Sequence, residues 1–219
     1  MGRQLQEEVL IPPEGLAGVL AVPEGARGLV AFAHGSGSGR MSPRNRHVAA
    51  ELQRAHFATL LLDLLTPDEE RRRENVFDIT LLAARLGSAT RWARTDERTA
   101  PLAVAYFGAS TGAAAALVAA AHGENGAAAV VSRGGRPDLA GPALSKVRAP
   151  TLLIVGRLDA PVIPLNRQAY DQLRCEKELS IVEGAGHLFE EAGTLDAVVR
   201  LAAAWFERFV PAASARRDE

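Results

Sequence analysis

Short runs of uninterrupted apolar residues recur along the chain, and they constrain its fold more than any other feature. They lie at residues 29–33, 58–62, 102–107, 127–131 and 151–155. Continuous rather than alternating apolarity is typical of strands that are buried on both faces, as in parallel sheets. Segments with helical patterns alternate with these runs. They lie at residues 42–55, 78–94, 110–121, 165–173 and 195–209. This alternation predicts an α/β domain with right-handed crossovers.

Three further runs complete the predicted sheet. Residues 5–11 and 16–22 flank a Pro/Gly turn and therefore favour an antiparallel hairpin. Residues 178–182 form a less apolar run, which we place near an edge. Together the runs predict a mostly parallel sheet of about eight strands with helices on both faces. We assign residues 1–210 to a single domain and expect the small and charged residues 211–219 to be a disordered tail.

Composition excludes several classes of function. The 219 residues carry a net charge of −1, which removes the electrostatic reason to expect nucleic acid or an anionic membrane as a partner. Cys175 is the only cysteine, so neither an intrachain disulfide nor a cysteine-based zinc site can form. The first residues lack the pattern of a secretory signal, and the longest apolar run, residues 113–121, is far shorter than a membrane-spanning helix. We therefore expect a cytoplasmic protein.

The strongest chemical signal is the segment Gly108-Ala109-Ser110-Thr111-Gly112, which matches the pattern G-x-S-x-G. It lies between a predicted strand and an alanine-rich helix, which is the setting of a nucleophile elbow. Such a turn forces the serine backbone into a strained conformation, so the residues two before and two after the serine must be small. Ser110 is therefore the candidate nucleophile.

A serine hydroxyl is a poor nucleophile until a base, usually a histidine oriented by a carboxylate, takes its proton. Asp159 closely follows the apolar run at 151–155, and His187 closely follows the run at 178–182. Both residues should therefore leave the same edge of the sheet as Ser110. This chain order, nucleophile, then acid, then histidine, is the one expected for this class of sheet. We assign Ser110, Asp159 and His187 as a candidate catalytic triad.

A glycine-rich segment at residues 35–39 follows His34 at the end of a predicted strand. Acyl transfer builds negative charge on the carbonyl oxygen, and the backbone N–H groups of Ser36 and Thr111 would form the oxyanion hole that stabilises it. A plain strand-to-helix turn is one alternative. A phosphate-binding loop is another, although Arg40 stands where the third glycine of G-x-G-x-x-G belongs and the lysine of the P-loop is absent.

Several arginines are predicted on loops at the same edge of the sheet. They are Arg40, Arg133, Arg136 and Arg157. One interpretation is a basic mouth for substrates that bear a carboxylate. The candidate substrate-binding residues are then His34, Gly35, Arg40, Arg133 and Arg136. The favoured alternative is that the arginines are surface residues paired with acidic neighbours. Those neighbours are Asp138, Glu190 and Glu191.

The motifs at residues 34–37, 108–112, 156–159 and 186–187 together resemble the α/β-hydrolase superfamily, and especially its small dienelactone-hydrolase-like members. The resemblance covers essentially the whole chain and includes Ser-Pro-Arg-Asn at residues 42–45. It implies a triad hydrolase that acts on an ester. The chain departs from dienelactone hydrolase proper in having a serine nucleophile instead of cysteine and Gly35 in place of a glutamate. Both departures argue against dienelactone itself as the substrate.

These features predict a carboxylesterase-like serine hydrolase for small-molecule esters, with no metal or organic cofactor. Residues 131–151 are too few for an inserted lid domain, so we expect an open crevice roofed by loops at 66–77 and 133–139. Three other functions stay open. They are another acyl-transfer or C–C bond hydrolase on the same triad, a non-catalytic module that serves a partner enzyme, and a nucleotide-binding domain that uses residues 35–40.

Overall fold

The computed structural model describes residues 5–123 and 126–212. Within these residues one eight-stranded sheet forms the centre of the fold, with the strand order β1-β2-β4-β3-β5-β6-β7-β8. The strands are β1 (Leu5–Ile11), β2 (Leu16–Val22), β3 (Leu29–Ala33), β4 (Ala58–Leu62), β5 (Val104–Ala109), β6 (Val130–Arg133), β7 (Thr151–Gly156) and β8 (Lys177–Val182). The helices are α1 (Pro43–Arg54), α2 (Pro67–Glu70), α3 (Arg73–Phe77), α4 (Ile79–Ala93), α5 (Thr111–Ala121), α6 (Val162–Gln172) and α7 (Thr194–Phe209).

The pairing of the strands confirms a mostly parallel sheet. Strand β2 pairs antiparallel with β1 and with β4, whereas all pairs from β4 across to β8 are parallel. The carboxyl ends of the parallel strands therefore share one edge of the sheet. In open α/β sheets that edge is where ligands bind.

Helices cover both faces of the sheet, as predicted. On one face, α4, α5 and α6 pack against alternate strand residues such as Ala31 and Tyr106. On the other face, α1 and α7 pack against Phe32 and Phe107, whose ring centroids lie 5.0 Å apart. The central strands β3, β4, β5, β6 and β7 are buried on both faces, which explains their continuous apolar sequence.

Side-chain caps fix the beginnings of two helices at the residues that the sequence indicates. The Ser42 hydroxyl accepts the Asn45 N–H at the start of α1, where Pro43 occupies the first helical position. Asp78 caps α4 by accepting the Leu81 N–H at 3.0 Å. The predicted bounds of these helices agree with the structure to within about one residue.

Two central strands begin later than the apolar runs suggest. The run at 102–107 becomes β5 at residues 104–109, because the Leu102 N–H closes a turn onto the Thr99 carbonyl. At its other end β5 extends because Gly108 pairs with Ala33 of β3 and Ala109 with Arg133 of β6. The run at 127–131 likewise becomes β6 at residues 130–133. The sheet therefore extends up to the candidate nucleophile.

Residues 66–77 are not the irregular loop that we predicted. They form α2 and α3, and Thr66 and Glu69 cap α2 with a reciprocal pair of side-chain to backbone hydrogen bonds. The spacing Thr-x-x-Glu is a helix-start signal that the sequence already contained. Residues 137–146 form a short 3₁₀ helix with a kink at Gly141. Only this short helix occupies the position where a lid domain would be inserted, within the part of the chain that the structure describes.

The predicted disordered tail at 211–219 lies mainly outside the described residues, which end at 212. Throughout the described ranges, the helices are all too short or too polar to cross a membrane.

Candidate active site

Ser110 occupies a strained turn between β5 and α5. Its backbone has φ 51° and ψ −123°, in a region that residues with a side chain rarely adopt. Such strain costs roughly 1–3 kcal/mol and persists only where the surroundings enforce it. Two glycines enforce it here: a Cβ on Gly108 would lie 2.5 Å from the Ala113 Cα, and one on Gly112 would overlap the Ala33 carbonyl oxygen. This is the geometry of a nucleophile elbow.

Asp159 and His187 form a hydrogen-bonded pair, with 2.7 Å between Asp159 Oδ2 and His187 Nδ1. The Asp159 side chain is buried and that of His187 is 39% exposed. Because the carboxylate accepts the Nδ1 proton, the neutral ring has a free lone pair on Nε2. A histidine in that tautomer can act as a general base.

Backbone contacts hold the turn that presents His187. The Leu158 N–H donates to the Ala185 carbonyl at 2.9 Å, which joins the turn after β7 to the turn after β8. Glu191 accepts the Gly186 N–H at 3.0 Å, and this bond lowers the pKa of the Glu191 carboxyl. The sequence suggests Glu191 only as a partner for an arginine. In the structure, its carboxylate instead holds the turn that presents His187.

The segment Arg133–Gly134 connects the serine and histidine turns. The Ser110 N–H donates to the Arg133 carbonyl at 3.3 Å, and a Cβ on Gly134 would lie 2.9 Å from the His187 carbonyl oxygen. Among the described residues, Ser110 Oγ and His187 form no hydrogen bond. Such bonds are often long in substrate-free enzymes and tighten when substrate binds.

The glycine-rich loop after β3 packs directly on the elbow. A Cβ on Gly35 would lie 2.9 Å from the Ser110 Cβ, so the backbone here approaches the serine closely. The Ser36 N–H donates to the Thr111 hydroxyl at 3.0 Å. The Thr111 N–H belongs to the first turn of α5, where N–H groups lack a helical acceptor. The two predicted oxyanion donors therefore lie on adjacent segments beside Ser110.

Residues from the end of β4 anchor this loop. The ring of His34 is bonded on both sides, because Nε2 accepts the Leu64 N–H at 3.0 Å and Nδ1 lies 2.9 Å from the Gly35 carbonyl oxygen. Asp63 accepts the Arg40 N–H at 2.6 Å and also pairs with the Arg40 guanidinium. His34 was predicted to bind substrate, but both of its ring nitrogens are engaged by backbone. Asp63 was missed because nothing in the local sequence links it to Arg40.

A cavity of about 590 Å³ lies beside the glycine-rich loop. Residues 34–44 form one wall, and Asp63, Leu65, Glu70 and Val76 belong to the other. Its volume lies within the range of small-molecule pockets.

The predicted basic mouth is largely neutralised within the chain. Arg40 pairs with Asp63, and Arg157 pairs with Glu183. Arg136 donates two hydrogen bonds to Asp138, at 2.9 and 2.8 Å, and this pairing raises the pKa of the Arg136 guanidinium. Arg136 thus has one of the acidic partners that the alternative interpretation named. For Arg40 the pairing is also internal, but the partner is one that the sequence did not indicate.

Arg133 does not lie on a surface loop, contrary to prediction. It is the last residue of β6, is 5% exposed, and donates to the Asn45 side chain of α1 at 3.2 Å. Burial, with a smaller contribution from the charge of Arg44, lowers the pKa of Arg133 to about 10. The group therefore stays charged at neutral pH while it is enclosed on the α1 side of the sheet.

In residues 5–123 and 126–212, no group of three or more His, Cys, Asp or Glu side chains could hold a metal ion.

A dienelactone hydrolase from Anabaena variabilis has a very similar structure. Its crystal structure superposes with a TM-score of 0.90 and shares 54% sequence identity, over 95% of this chain and 99% of that one. The chain belongs to the dienelactone-hydrolase-like α/β-hydrolases. The fold recurs in Est1E from Butyrivibrio proteoclasticus, with a TM-score of 0.75 at 14% identity over 95% of this chain and 98% of that one. No protein-family model matches the chain.

Two curated relatives of this dienelactone-hydrolase-like chain come from strains of Mycobacterium tuberculosis and are provisionally named phosphoribosyl transferases. Each is 58% identical over 204 residues, which cover 93% of this chain. The chain spans only 46% of the length of these relatives. Their name therefore describes proteins more than twice as long as the matched region.

Proposed function

We propose that this chain is a serine hydrolase that cleaves small carboxylic esters through Ser110, His187 and Asp159. The observation that carries the proposal is the 2.7 Å Asp159–His187 bond at the same sheet edge as a strained serine elbow. Backbone strain at a residue with a side chain is kept where function requires it. The family relationship supports a hydrolase, and the serine at the nucleophile position supports ester chemistry.

The proposed reaction has two halves. Ser110 Oγ attacks the carbonyl carbon of the ester while His187 Nε2 takes the hydroxyl proton. The tetrahedral intermediate then collapses, the C–O bond to the alcohol breaks, and His187 gives its proton to the departing alkoxide. Water attacks the resulting acyl-enzyme with His187 again as base, and collapse releases the carboxylic acid and returns a proton to Ser110 Oγ. Asp159 stabilises the imidazolium that forms in both halves.

The Ser36 and Thr111 N–H groups would bind the oxyanion of each tetrahedral intermediate. Removing one donor of an oxyanion hole typically lowers kcat by about 10² to 10³. His34 and Asp63 act as positioning residues in this proposal, because their bonds to Leu64 and Arg40 fix the loop that presents Ser36.

We also propose that the ester is small and has an apolar part. Five of the six exposed large apolar side chains among the described residues lie on segments that follow strands at the carboxyl edge of the sheet. They are Met41, Phe77, Leu139, Leu158 and Leu188. The adjoining cavity of about 590 Å³ accommodates a small ligand, and no lid encloses a long chain in the described structure. Short acyl esters should therefore be preferred.

Labelling with a fluorophosphonate tests the proposal. Ser110 Oγ should displace fluoride from the probe, and intact mass should show one phosphonyl adduct on the wild-type chain and none on Ser110→Ala. A folded wild-type protein that stays unlabelled would support a non-catalytic or nucleotide-binding module instead.

A panel of p-nitrophenyl esters then tests the bond and the chain length. We expect the highest kcat/KM on acetate to butyrate esters and no jump in rate on emulsified substrate. Labelling without ester cleavage would favour a C–C bond hydrolase, and a preference for chains beyond about ten carbons would show that a cover closes over the site.

A further inference from the structure

The Ser36 N–H, one of the two proposed oxyanion donors, already has a partner in the structure. It donates to the hydroxyl of Thr111 at 3.0 Å. Thr111 also supplies the second proposed donor, its own N–H at the start of α5. The threonine hydroxyl is therefore in contact with one proposed donor and belongs to the residue that supplies the other.

The Thr111 hydroxyl has an unused hydrogen. A hydroxyl group is one donor and two acceptors, and here Oγ1 accepts from Ser36. Other buried threonines of the chain donate to backbone carbonyls, as Thr90 does to Leu86 and Thr99 to Ala93. Within the described residues, Thr111 Oγ1 donates to no carbonyl or carboxylate. Its proton is therefore available to a ligand.

The side chain is also held in place. Thr111 is 7% exposed, and threonine has few allowed χ1 rotamers because it is branched at Cβ. A donor that is fixed before the reaction needs little reorganisation when charge develops.

From these contacts we infer that the Thr111 side-chain hydroxyl is a third donor of the oxyanion hole. In the substrate-free protein it accepts the Ser36 N–H and holds that group in position. When Ser110 attacks the ester, the Thr111 hydroxyl donates its hydrogen to the carbonyl oxygen alongside the two N–H groups. No covalent bond to Thr111 forms, and its proton stays on Oγ1. The inference rests on the proposed ester hydrolysis and assigns a catalytic role to the side chain in addition to the backbone of this residue.

The test compares Thr111→Val, which keeps the shape and the N–H but lacks the hydroxyl, with Thr111→Ser, which keeps the hydroxyl. On p-nitrophenyl acetate we expect Thr111→Val to lower kcat by about 10- to 100-fold with KM within about twofold, because the hydroxyl acts on the charged intermediate. Thr111→Ser should stay within about fivefold of wild type. Thr80→Val, at an exposed threonine in the first turn of α4, is the matched control and should be unchanged.

A trifluoromethyl ketone supplies a second readout. Ser110 Oγ adds to its carbonyl and forms a hemiketal oxyanion, so its Ki should rise in Thr111→Val by the same factor as kcat falls. Should Thr111→Val fail to fold, by circular dichroism and thermal melting, Thr111→Ala replaces it with the same expectation.

Three outcomes would overturn the inference. An unchanged kcat in Thr111→Val, or a change in KM alone, would mean that the hydroxyl only supports the loop. Equal losses in Thr111→Val and Thr111→Ser would assign the effect to packing. Both results require an active wild type, and they leave the proposed function intact. A wild-type protein that neither labels nor cleaves any ester would overturn the proposed function and this inference together.

Discussion

The two sides of the crevice are held by different forces. On the side of Ser110 and His187, backbone packs directly on backbone: Gly112 lies against the Ala33 and His34 carbonyls, and Gly156 against those of residues 185 and 186. On the opposite side, residues 63–78 are held largely by charged side chains. The Arg40–Asp63 pair joins one end to the glycine-rich loop, and Arg85 bridges Glu69 of α2 and Glu14 of the hairpin.

We expect the backbone-packed side to fix the geometry of the reacting groups and the side held by charged residues to determine which substrates bind. Close-packed backbone has few alternative arrangements, so it fixes the reacting groups and tolerates little substitution. Ion pairs and caps at half-buried positions each contribute little stability and can be exchanged without disturbing the sheet. The reacting side should therefore respond to mutation with loss of function or fold. The wall at 63–78 should respond with changes in substrate binding, except at Asp63, which positions the glycine-rich loop.

The largest expected effect is on the reacting groups themselves. Ser110→Ala should lower kcat for p-nitrophenyl acetate by about 10³-fold or more with little change in stability, because the substitution removes only the hydroxyl and keeps the Cβ at the elbow. His187→Ala should cost about as much, and the double variant little more, since the two groups act as a unit. Steady-state kinetics on purified variants would measure this. Losses that multiply in the double variant would show that the two residues act independently.

The second effect concerns the elbow. In Gly112→Ala the added Cβ overlaps the Ala33 carbonyl oxygen, which belongs to a central strand and cannot move away. We expect a loss of about 3 kcal/mol or more, which lowers Tm by roughly 6–12 °C in a chain of this size, together with most of the activity.

Gly123→Ala is the matched control for the elbow variant, because a Cβ there has no heavy atom within 4 Å and the φ angle is ordinary. Its Tm in differential scanning calorimetry should change by less than about 2 °C. Similar melting temperatures for the two variants would mean that residues 108–112 behave as an ordinary loop.

The sequence predicts the reacting side better than the wall, and the two kinds of contact explain why. Ser110, Asp159 and His187 each lie shortly after an apolar run, so the topology of a parallel sheet alone brings them to one edge. The contact between Arg40 and Asp63 depends on how two loops fold toward each other. Hydrophobic periodicity in the sequence carries no information about such a contact. Arg133 shows the same limit, because the strand ends two residues later than the apolar run suggests and so takes the arginine into the interior.

The smallest expected effect is at Glu69, which holds α2 in the wall of the cavity. Its carboxylate accepts the Thr66 N–H at 2.9 Å and pairs with Arg85, and its carbonyl accepts from the Asn75 side chain at 2.9 Å. Burial would raise the pKa of Glu69, but the bonds from Thr66 and Arg85 outweigh it and lower the pKa below the ordinary 4.5. The stabilisation is therefore fully present above about pH 4.5 and is lost as the pH falls through the lowered value.

Glu69→Gln should consequently remove a contribution that depends on pH. At neutral pH we expect KM for short esters to rise by about two- to fivefold with kcat nearly unchanged, and Tm to fall by about 2–4 °C, as for a loss near 1 kcal/mol. The difference in Tm between wild type and variant should shrink as the pH falls through the lowered pKa of Glu69, since its protonation then weakens the same contacts. Asp68→Asn is the control, because Asp68 is 86% exposed and pairs only with the exposed Arg71. If Glu69→Gln instead lowered kcat as strongly as changes at the elbow, the wall would be part of the reacting geometry, and the division between the two sides of the crevice would not hold.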